Sequence, residues 1–274
     1  MTTTISPELV AALKRLRLGR ILDSLPERIT LAERDGTPFQ DLMLALLVDE
    51  IGRRQNNAAL MRARDAGIDP DMVFERWDKT AKVGYDKRVL QELTSLRFIE
   101  AKRNAVVLGP VGVGKTFVAC ALGHLACRAG FSVRFERGDG MLRRLKQSRM
   151  DNSRDAVMTE LTTIDLLIID DFALEPMTRE ESRDVYQLFV ERNGRFPTIV
   201  TSNRDTAEWL SAFDDTLLAQ SAVDRFKNNA YDLVIDGESY RARLKPKIED
   251  APPPSAPVTK SPNPGRRRLT PRTR

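Results

Sequence analysis

Residues 109–116 form a glycine-rich segment of the kind that binds a triphosphate, and they read Gly109, Pro110, Val111, Gly112, Val113, Gly114, Lys115 and Thr116. The segment matches G-x-x-x-x-G-K-[ST], follows the apolar run NAVVL and precedes the helical pattern TFVACALGHLA. Its glycines let backbone N–H groups converge on phosphate oxygens at the positive end of a helix dipole. We predict that Lys115 reaches the β- and γ-phosphates and that the Thr116 hydroxyl binds Mg²⁺. The alternative, a chance glycine turn, does not explain the flanking strand and helix.

A pair of acidic residues, Asp170 and Asp171, follows the apolar run Leu166–Ile169. Ligands of parallel sheets bind at the carboxyl ends of the strands, so this pair is expected beside the glycine-rich loop. Asp170 would hold Mg²⁺, through water, and Asp171 would orient or deprotonate an attacking water. Taken alone, the pattern also fits a strand that simply meets a loop.

Two later residues complete a candidate catalytic set. Asn203 follows the strand pattern PTIVTS, and its amide could hydrogen-bond both the water and the γ-phosphate; an ordinary Asn turn is the alternative. Arg225 closes a helical pattern just before the last predicted strand and could extend its guanidinium to the γ-phosphate of a neighbouring subunit. On local sequence alone, a surface arginine or an intramolecular salt bridge is the favoured interpretation of Arg225.

The elements that must position these residues alternate in type from about residue 77. Five β-branched runs predict strands, and helices are predicted between them, which indicates an α/β fold with a parallel sheet. The predicted strands are NAVVLG, FSVRFE, LLIIDDF, PTIVTSN and YDLVID, and the predicted helices span 115–129, 138–149, 178–193 and 206–226. Thr178 and Glu181 form a capping-box pattern, and Gly194 suits a left-handed helix end.

Residues 1–76 predict a separate, small all-helical domain, because apolar residues recur there every three or four positions. Ser6 and Thr37 are the predicted N-caps, and Gly67 is a predicted stop. With 274 residues, of which 41% are hydrophobic, the chain can form one large core and a second small domain. The two cysteines, Cys120 and Cys127, lie too far apart along one predicted helix for a disulfide, and we expect both to be buried.

The net charge of +5 belongs to the C-terminal tail, because residues 251–274 carry six basic residues and no acid. Residues 246–274 predict a disordered tail, since they are rich in proline and poor in large apolar side chains. Basic residues also cluster on the N-terminal helices, where ordinary solvated faces are the alternative to phosphate binding. The candidate DNA contacts are Arg53, Arg54, Arg62, Arg64, Arg266, Arg267 and Arg268.

Five segments together resemble the IstB-like and DnaC-like AAA+ ATPases, namely GPVGVGKT, LLIIDDFALEPMT, TSN, DRF and GESYR. The resemblance covers about residues 77–245, and the order and spacing of the five segments make it specific. The helical N-terminal region is also similar to that of IstB proteins. The resemblance implies a five-stranded AAA+ sheet of order 5-1-4-3-2 and ATP sites shared between subunits. The sequence patterns described above divide the chain into domains at 1–76, 77–245 and 246–274.

Carried over residue by residue, the resemblance makes residues 109–116 the Walker A loop, Asp170 and Asp171 the Walker B pair, Asn203 sensor 1 and Arg225 the arginine finger. AAA+ proteins usually have Glu at the position of Asp171, so slow hydrolysis stimulated by DNA or a partner is expected. Ala173 stands where relatives often have Gly. The sequence shows no pattern for the C-terminal helical lid that carries the second sensor of AAA+ proteins. Arg241 or Arg243 could act in place of that sensor, although a solvated basic face is the simpler interpretation of these two residues.

IstB proteins are the ATP-dependent helpers of two-component insertion-sequence systems. By resemblance, we expect this protein to be a transposition helper that uses ATP and Mg²⁺. It would form a ring or helical oligomer on double-stranded DNA, recruit an integrase-like transposase, and disassemble on hydrolysis. A DnaC-like helicase loader and a DNA-binding scaffold with negligible turnover are the alternatives. With no apolar run of membrane-spanning length and no signal-peptide pattern, a cytoplasmic location is expected.

Overall fold

The computed structural model describes residues 5–78 and 80–242, so residues 243–274, with the tail arginines and Arg243, lie outside the described residues. Helices α1 to α3 form the N-terminal part, where Ile21, Leu25 and Leu46 make a small apolar cluster. The predicted N-cap Ser6 is confirmed, because its hydroxyl accepts a hydrogen bond from the Leu9 N–H at 3.2 Å. The helices are α1 (Pro7–Arg15), α2 (Leu25–Asp35), α3 (Phe39–Asp65), α4 (Lys87–Thr94), α5 (Arg97–Glu100), α6 (Lys115–Ala129), α7 (Gly138–Met150), α8 (Arg154–Thr163), α9 (Arg179–Arg192) and α10 (Thr216–Lys227).

A six-stranded sheet of order β1-β6-β2-β5-β4-β3 organises the rest of the described chain. Five strands run parallel in the predicted order 5-1-4-3-2, and β1 pairs antiparallel with β6 at the edge. The strands are β1 (Val83–Tyr85), β2 (Asn104–Leu108), β3 (Val133–Arg137), β4 (Leu166–Asp170), β5 (Thr198–Ser202) and β6 (Ala230–Gly237). The α/β prediction is therefore confirmed, with a correction from five strands to six.

Other sequence predictions need correction. The helix predicted at 206–226 is divided into a 3-10 helix, Glu208–Ala212, and α10, because the Asp215 carboxylate caps α10 by accepting from the N–H groups of Leu217 and Leu218. Helices α4, α5 and α8 were not predicted. Thr37 is not the cap of α3, since the residue before this helix is Pro38.

Two apolar layers cover the two faces of the sheet. One contains α6, α4 and α5, with Leu122, Phe98 and Leu93 fully buried, and the other contains α7 to α10 around Phe172, Leu188 and Trp209. Burial of both faces explains why the central strands are almost continuously apolar. The arrangement fixes the carboxyl ends of β2, β4 and β5 at one edge of the sheet.

Helix α3 is shared between the two parts of the chain. Near its N-terminal half Leu46 belongs to the small cluster, whereas Ala63 near its C-terminal end packs in the large core with Ile68. The Arg62 guanidinium donates from Nε to the Cys127 carbonyl on α6 at 2.8 Å. None of the helices within the described residues has the length and apolarity to cross a bilayer.

Candidate nucleotide-binding site

The glycine-rich loop connects β2 to α6, as the sequence predicts. Gly109, Gly112 and Gly114 have φ values of +149°, +86° and +101°, which disfavour any residue with a Cβ. A Cβ at Gly109 would lie 2.0 Å from the Ile235 carbonyl oxygen, so the tight approach of loop to strand also requires glycine. The loop leads directly into the N-terminus of α6, which has no side-chain cap, and a helix N-terminus of this kind favours an anion.

Lys115, the first residue of α6, is 5% exposed and donates from Nζ to the Pro110 carbonyl at 2.8 Å. Burial lowers the pKa of Lys115, and the negative charges of Asp171 and Asp170 oppose that shift. The ammonium is thus folded back within the loop. An anion in the loop can replace the carbonyl as its partner and compensate for its desolvation.

Thr116 and Asp170 meet at the carboxyl end of β4. The Thr116 hydroxyl lies 3.0 Å from both carboxylate oxygens of Asp170, whose side chain is 4% exposed. Burial raises the pKa of Asp170, while hydrogen bonds from Thr201 and Thr116 lower it. A hydroxyl and a carboxylate side by side fit a Mg²⁺ ion that takes its remaining ligands from phosphate and water.

Asp171 and Asn203 lie with the loop around one cavity of about 420 Å³, a volume typical of small-ligand sites. Asp171 has φ +53°, a left-handed conformation, and also borders a second cavity beside Arg137. The first cavity is lined by Met72, Arg76, Trp77, Asp78, Ala81, Val83, residues 111–117, Asp171, Leu174, Asn203, Tyr240 and Arg241.

An aromatic residue from the segment before β1 closes one side of this cavity. The Trp77 ring packs on the loop, because a Cβ at Gly114 would lie 3.3 Å from it, and it meets Phe117 edge-on at 5.2 Å between centroids. Tyr85, the other aromatic residue considered for base contact, stands behind Trp77 at 6.3 Å and is not among the cavity-lining residues. Of the two, only Trp77 faces the cavity.

The segment after β6 closes the opposite side. The Tyr240 N–H donates to the Gly112 carbonyl at 2.8 Å, and Arg241 borders the cavity with its positive charge lowering the pKa of Lys115. Arg241 is exposed, and it borders the same cavity as Lys115, where the two positive charges repel each other. The sequence allowed two interpretations of Arg241, as a sensor or as part of a solvated basic face. In the fold, Arg241 lies at the cavity.

The other predicted site residues lie elsewhere. Arg225 is exposed on α10, where it hydrogen-bonds Ser221 and lies over the Tyr186 ring, and it does not line the cavity. Arg53 and Arg54 both pair with the buried carboxylate of Glu50. Arg62 is half-buried against α6, and Arg64 is exposed.

Two residues that sequence reasoning did not assign contact the acidic pair. Arg137, the last residue of β3, places Nη2 3.9 Å from Asp171 Oδ2. Thr201, in β5, donates to Asp170 Oδ1 at 2.5 Å and accepts from the Asp171 N–H at 3.0 Å. Both contacts depend on strand register, which a single sequence does not reveal. The only signals were the position of Arg137 at the end of β3 and that of Thr201 one residue before the end of β5.

Comparison with known proteins identifies the family. A family model described as IstB-like ATP binding protein matches residues 11–248. The chain is 36% identical to an insertion-sequence ATP-binding protein of Mycobacterium tuberculosis, over 88% of this chain and 96% of that protein. It is 31% identical to the IS21 ATP-binding protein of Pseudomonas aeruginosa, over 88% of this chain and 91% of the other.

Among solved structures, the crystal structure of DnaI shares the fold, with a TM-score of 0.52 and 18% identity over 60% of this chain and 90% of that one. This likeness agrees with the α/β P-loop fold described above. Because the family model spans most of the sequence and both relatives align over nearly their whole length, the chain belongs to the family of IstB-like ATP-binding proteins.

Proposed function

We propose that this protein is a Mg²⁺-dependent ATPase that assembles on double-stranded DNA and recruits a separate, integrase-like transposase. Hydrolysis of ATP then disassembles the complex. The observation that carries the proposal is the arrangement of loop residues 111–116, Asp171 and Asn203 around one cavity, with the Thr116 hydroxyl of that loop donating to Asp170. The relatives' names, which place them in insertion sequences, support the transposition context.

In this proposal the loop amides and Lys115 hold the β- and γ-phosphates, and Thr116 and Asp170 hold the ion. Bound Mg²⁺ would supply charge neutralisation at the phosphates. The support is the donor set, a buried carboxylate with a hydroxyl 3.0 Å away at the start of α6.

Asp171 and Asn203 act on the attacking water. The Asp171 side chain is 32% exposed, so its carboxylate is accessible to water, unlike that of Asp170. Asn203, at the end of the adjacent strand, offers an amide that can donate to phosphate and accept from water. The shorter side chain of Asp171 relative to Glu leaves it farther from the water, which supports slow basal turnover.

Arg225 completes the site of a neighbouring copy. Its exposed position on α10, outside the lining of the cavity of its own chain, supports action between subunits. Hydrolysis then requires assembly, which makes turnover a consequence of oligomer formation on DNA. That oligomer is a ring or a helical filament.

DNA binding is assigned to the N-terminal helices, within a domain proposed to span residues 1–76. Arg53, Arg54, Arg62 and Arg64 remain the proposed phosphate contacts, with Arg266 to Arg268 in the tail. Since Glu50 neutralises part of the charge of Arg53 and Arg54, contacts from several subunits would have to add along the duplex. Binding of this kind reads the backbone and depends weakly on sequence.

The test measures assembly on DNA as a function of nucleotide. A fluorescent duplex is titrated with protein in ATP, in ADP or without nucleotide, and complex size is followed by light scattering. Large complexes should form in ATP and bind the transposase, then dissociate as ATP is consumed. Asp171→Asn should retain them, because binding persists while hydrolysis stops.

Matched lysine variants provide the control. Lys115→Ala should abolish ATP-dependent assembly, because it removes the buried ammonium from the loop. Lys87→Ala removes the same charge from an exposed position at the start of α4 and should behave as the unmodified protein. Equal assembly in ATP, ADP and no nucleotide would refute the proposal.

A further inference from the structure

The hydroxyl of Thr201 is the only side-chain group, among the hydrogen bonds of the described residues, that bonds both members of the acidic pair. It donates to Asp170 Oδ1 at 2.5 Å and accepts from the backbone N–H of Asp171 at 3.0 Å. Thr201 is fully buried, and its carbonyl accepts a further hydrogen bond from the Phe172 N–H at 2.9 Å. One residue of β5 thus holds the turn that follows β4.

The direction of these bonds follows from the chemistry of the groups. A backbone N–H can only donate, so the Thr201 oxygen must accept from Asp171, and its single proton is available for the carboxylate of Asp170. Asp170 Oδ1 lies within hydrogen-bond distance of the hydroxyls of both Thr201 and Thr116. Asp170 Oδ2 has only the Thr116 hydroxyl as a donor among the described residues. The hydroxyl therefore orients the carboxylate and leaves more acceptor capacity on Oδ2.

The second bond restrains the backbone of Asp171. This residue has φ +53°, a conformation that residues with a Cβ adopt rarely and at a cost. The bond from its N–H to Thr201 holds the turn in that conformation. Because the direction of the Asp171 side chain follows from its backbone, the same hydroxyl sets where the second carboxylate points.

We propose that Thr201 is a positioning residue, which aligns Asp170 for the metal and Asp171 for water through one hydroxyl group. The inference rests on the proposed ATPase function and adds a residue to it. Thr201 itself is absent from the lining of the nucleotide cavity, so it acts through the two aspartates and not by touching nucleotide.

Valine and serine substitutions separate the hydroxyl from the shape of the side chain. Thr201→Val keeps the branched shape in the strand and removes the hydroxyl. Hydrolysis should fall roughly tenfold to a hundredfold, the range expected when reacting groups are misplaced by about 1 Å. Thr201→Ser keeps the hydroxyl and should recover most of the activity.

A binding measurement tests the same inference without turnover. Affinity for a fluorescent ATP analogue is measured with Mg²⁺ and with a chelator. Thr201→Val should weaken binding only when Mg²⁺ is present, because the loop that holds the phosphates is unchanged. Thr201→Ser should retain the strengthening by Mg²⁺ seen in the unmodified protein.

Thr162→Val is the matched control for removing a buried threonine hydroxyl. Thr162 is 7% exposed, and its hydroxyl donates to the Met158 carbonyl within α8 at 2.8 Å, away from the site. It should leave both measurements unchanged. The inference would be overturned if Thr201→Val and Thr201→Ser had equal defects. It would also be overturned if Thr162→Val had a defect as large as that of Thr201→Val.

The outcome also separates this inference from the proposed function. If the unmodified protein shows neither Mg²⁺-strengthened binding nor hydrolysis, the proposed function fails, and the assignment of Thr201, which rests on it, fails too. If it shows both and Thr201→Val matches it, only the role of Thr201 is refuted.

Discussion

Replacing Gly112 with alanine should weaken ATP binding through a defined steric conflict. Gly112 has φ +86°, and a Cβ there would lie 2.1 Å from Ser239 Oγ and 2.9 Å from Ser239 Cβ. The loop or the segment after β6 must therefore move. Movement of that segment breaks the hydrogen bond from the Tyr240 N–H to the Gly112 carbonyl.

The magnitude follows from two contributions. Alanine in the left-handed region costs about 1–2 kcal/mol, and the lost hydrogen bond costs about 0.5–1.5 kcal/mol. In the nucleotide-free protein the loop can avoid these costs by changing shape, so ATP binding must restore the strained form. A total of about 1.5–3.5 kcal/mol corresponds to roughly 10- to 400-fold weaker binding.

The assay is calorimetric titration with ATP and Mg²⁺, with two further variants. Gly130→Ala is the matched control, since Gly130 has φ +100° at the end of α6 and a Cβ placed on it would have no neighbouring atom within 4 Å. It should lower the free energy of unfolding by about 1–2 kcal/mol without changing ATP affinity. Adding Ser239→Gly to Gly112→Ala should recover part of the affinity. Binding by Gly112→Ala within about threefold of the unmodified protein, under 1 kcal/mol, would refute the reasoning.

Three other predictions concern thiols, subunit contacts and pH. Burial raises the pKa of Cys120 to about 12 and of Cys127 to about 11, so a thiol reagent at mildly alkaline pH should label neither in the native protein and both after denaturation; rapid native labelling would contradict their burial. Mixing Arg225→Ala with Asp171→Ala subunits should restore DNA-stimulated hydrolysis, and failure in assemblies shown to be mixed would reject action between subunits. Hydrogen bonding from Arg53 lowers the pKa of Glu50 to about 2, so this carboxylate stabilises the fold above its ordinary pKa, and the stabilisation is lost as pH falls towards 2. Glu50→Gln should therefore lower the melting temperature more at neutral than at acidic pH, and equal effects at both would count against the pairing.

Much of the fold could be predicted because the phosphate loop and the strand ends carry strong local signals. The order of the five parallel strands agrees with the resemblance, and the capping box of Thr178 and Glu181 is present. Strand β1 was missed because three residues, VGY, are too few to establish a period. The break before α10 was signalled by Asp215, a good N-cap, but the apolar pattern continues across it.

The contacts that organise the site were harder to predict. Thr201 appears in the sequence as an ordinary β-branched strand residue, and Arg137 as a charged residue at a strand end. Their importance comes from register, which sets Arg137 beside Asp170 and aligns β5 with β4. Long-range pairing of this kind depends on the whole packed sheet, and no local pattern encodes it.

The small edge strand β1 has a mechanical consequence for the cavity. Trp77 precedes β1 and Tyr240 follows β6, so the two sides of the cavity are tied together where Val83 pairs with Gly237. Gly237 permits this close pairing, because a Cβ there would lie 2.4 Å from the Lys82 carbonyl oxygen. A three-residue strand at a sheet edge frays readily, and a ligand that spans both sides would suppress the fraying. Amide hydrogen exchange in β1 is therefore a sensitive reporter of nucleotide occupancy, even though its middle residue, Gly84, does not border the cavity.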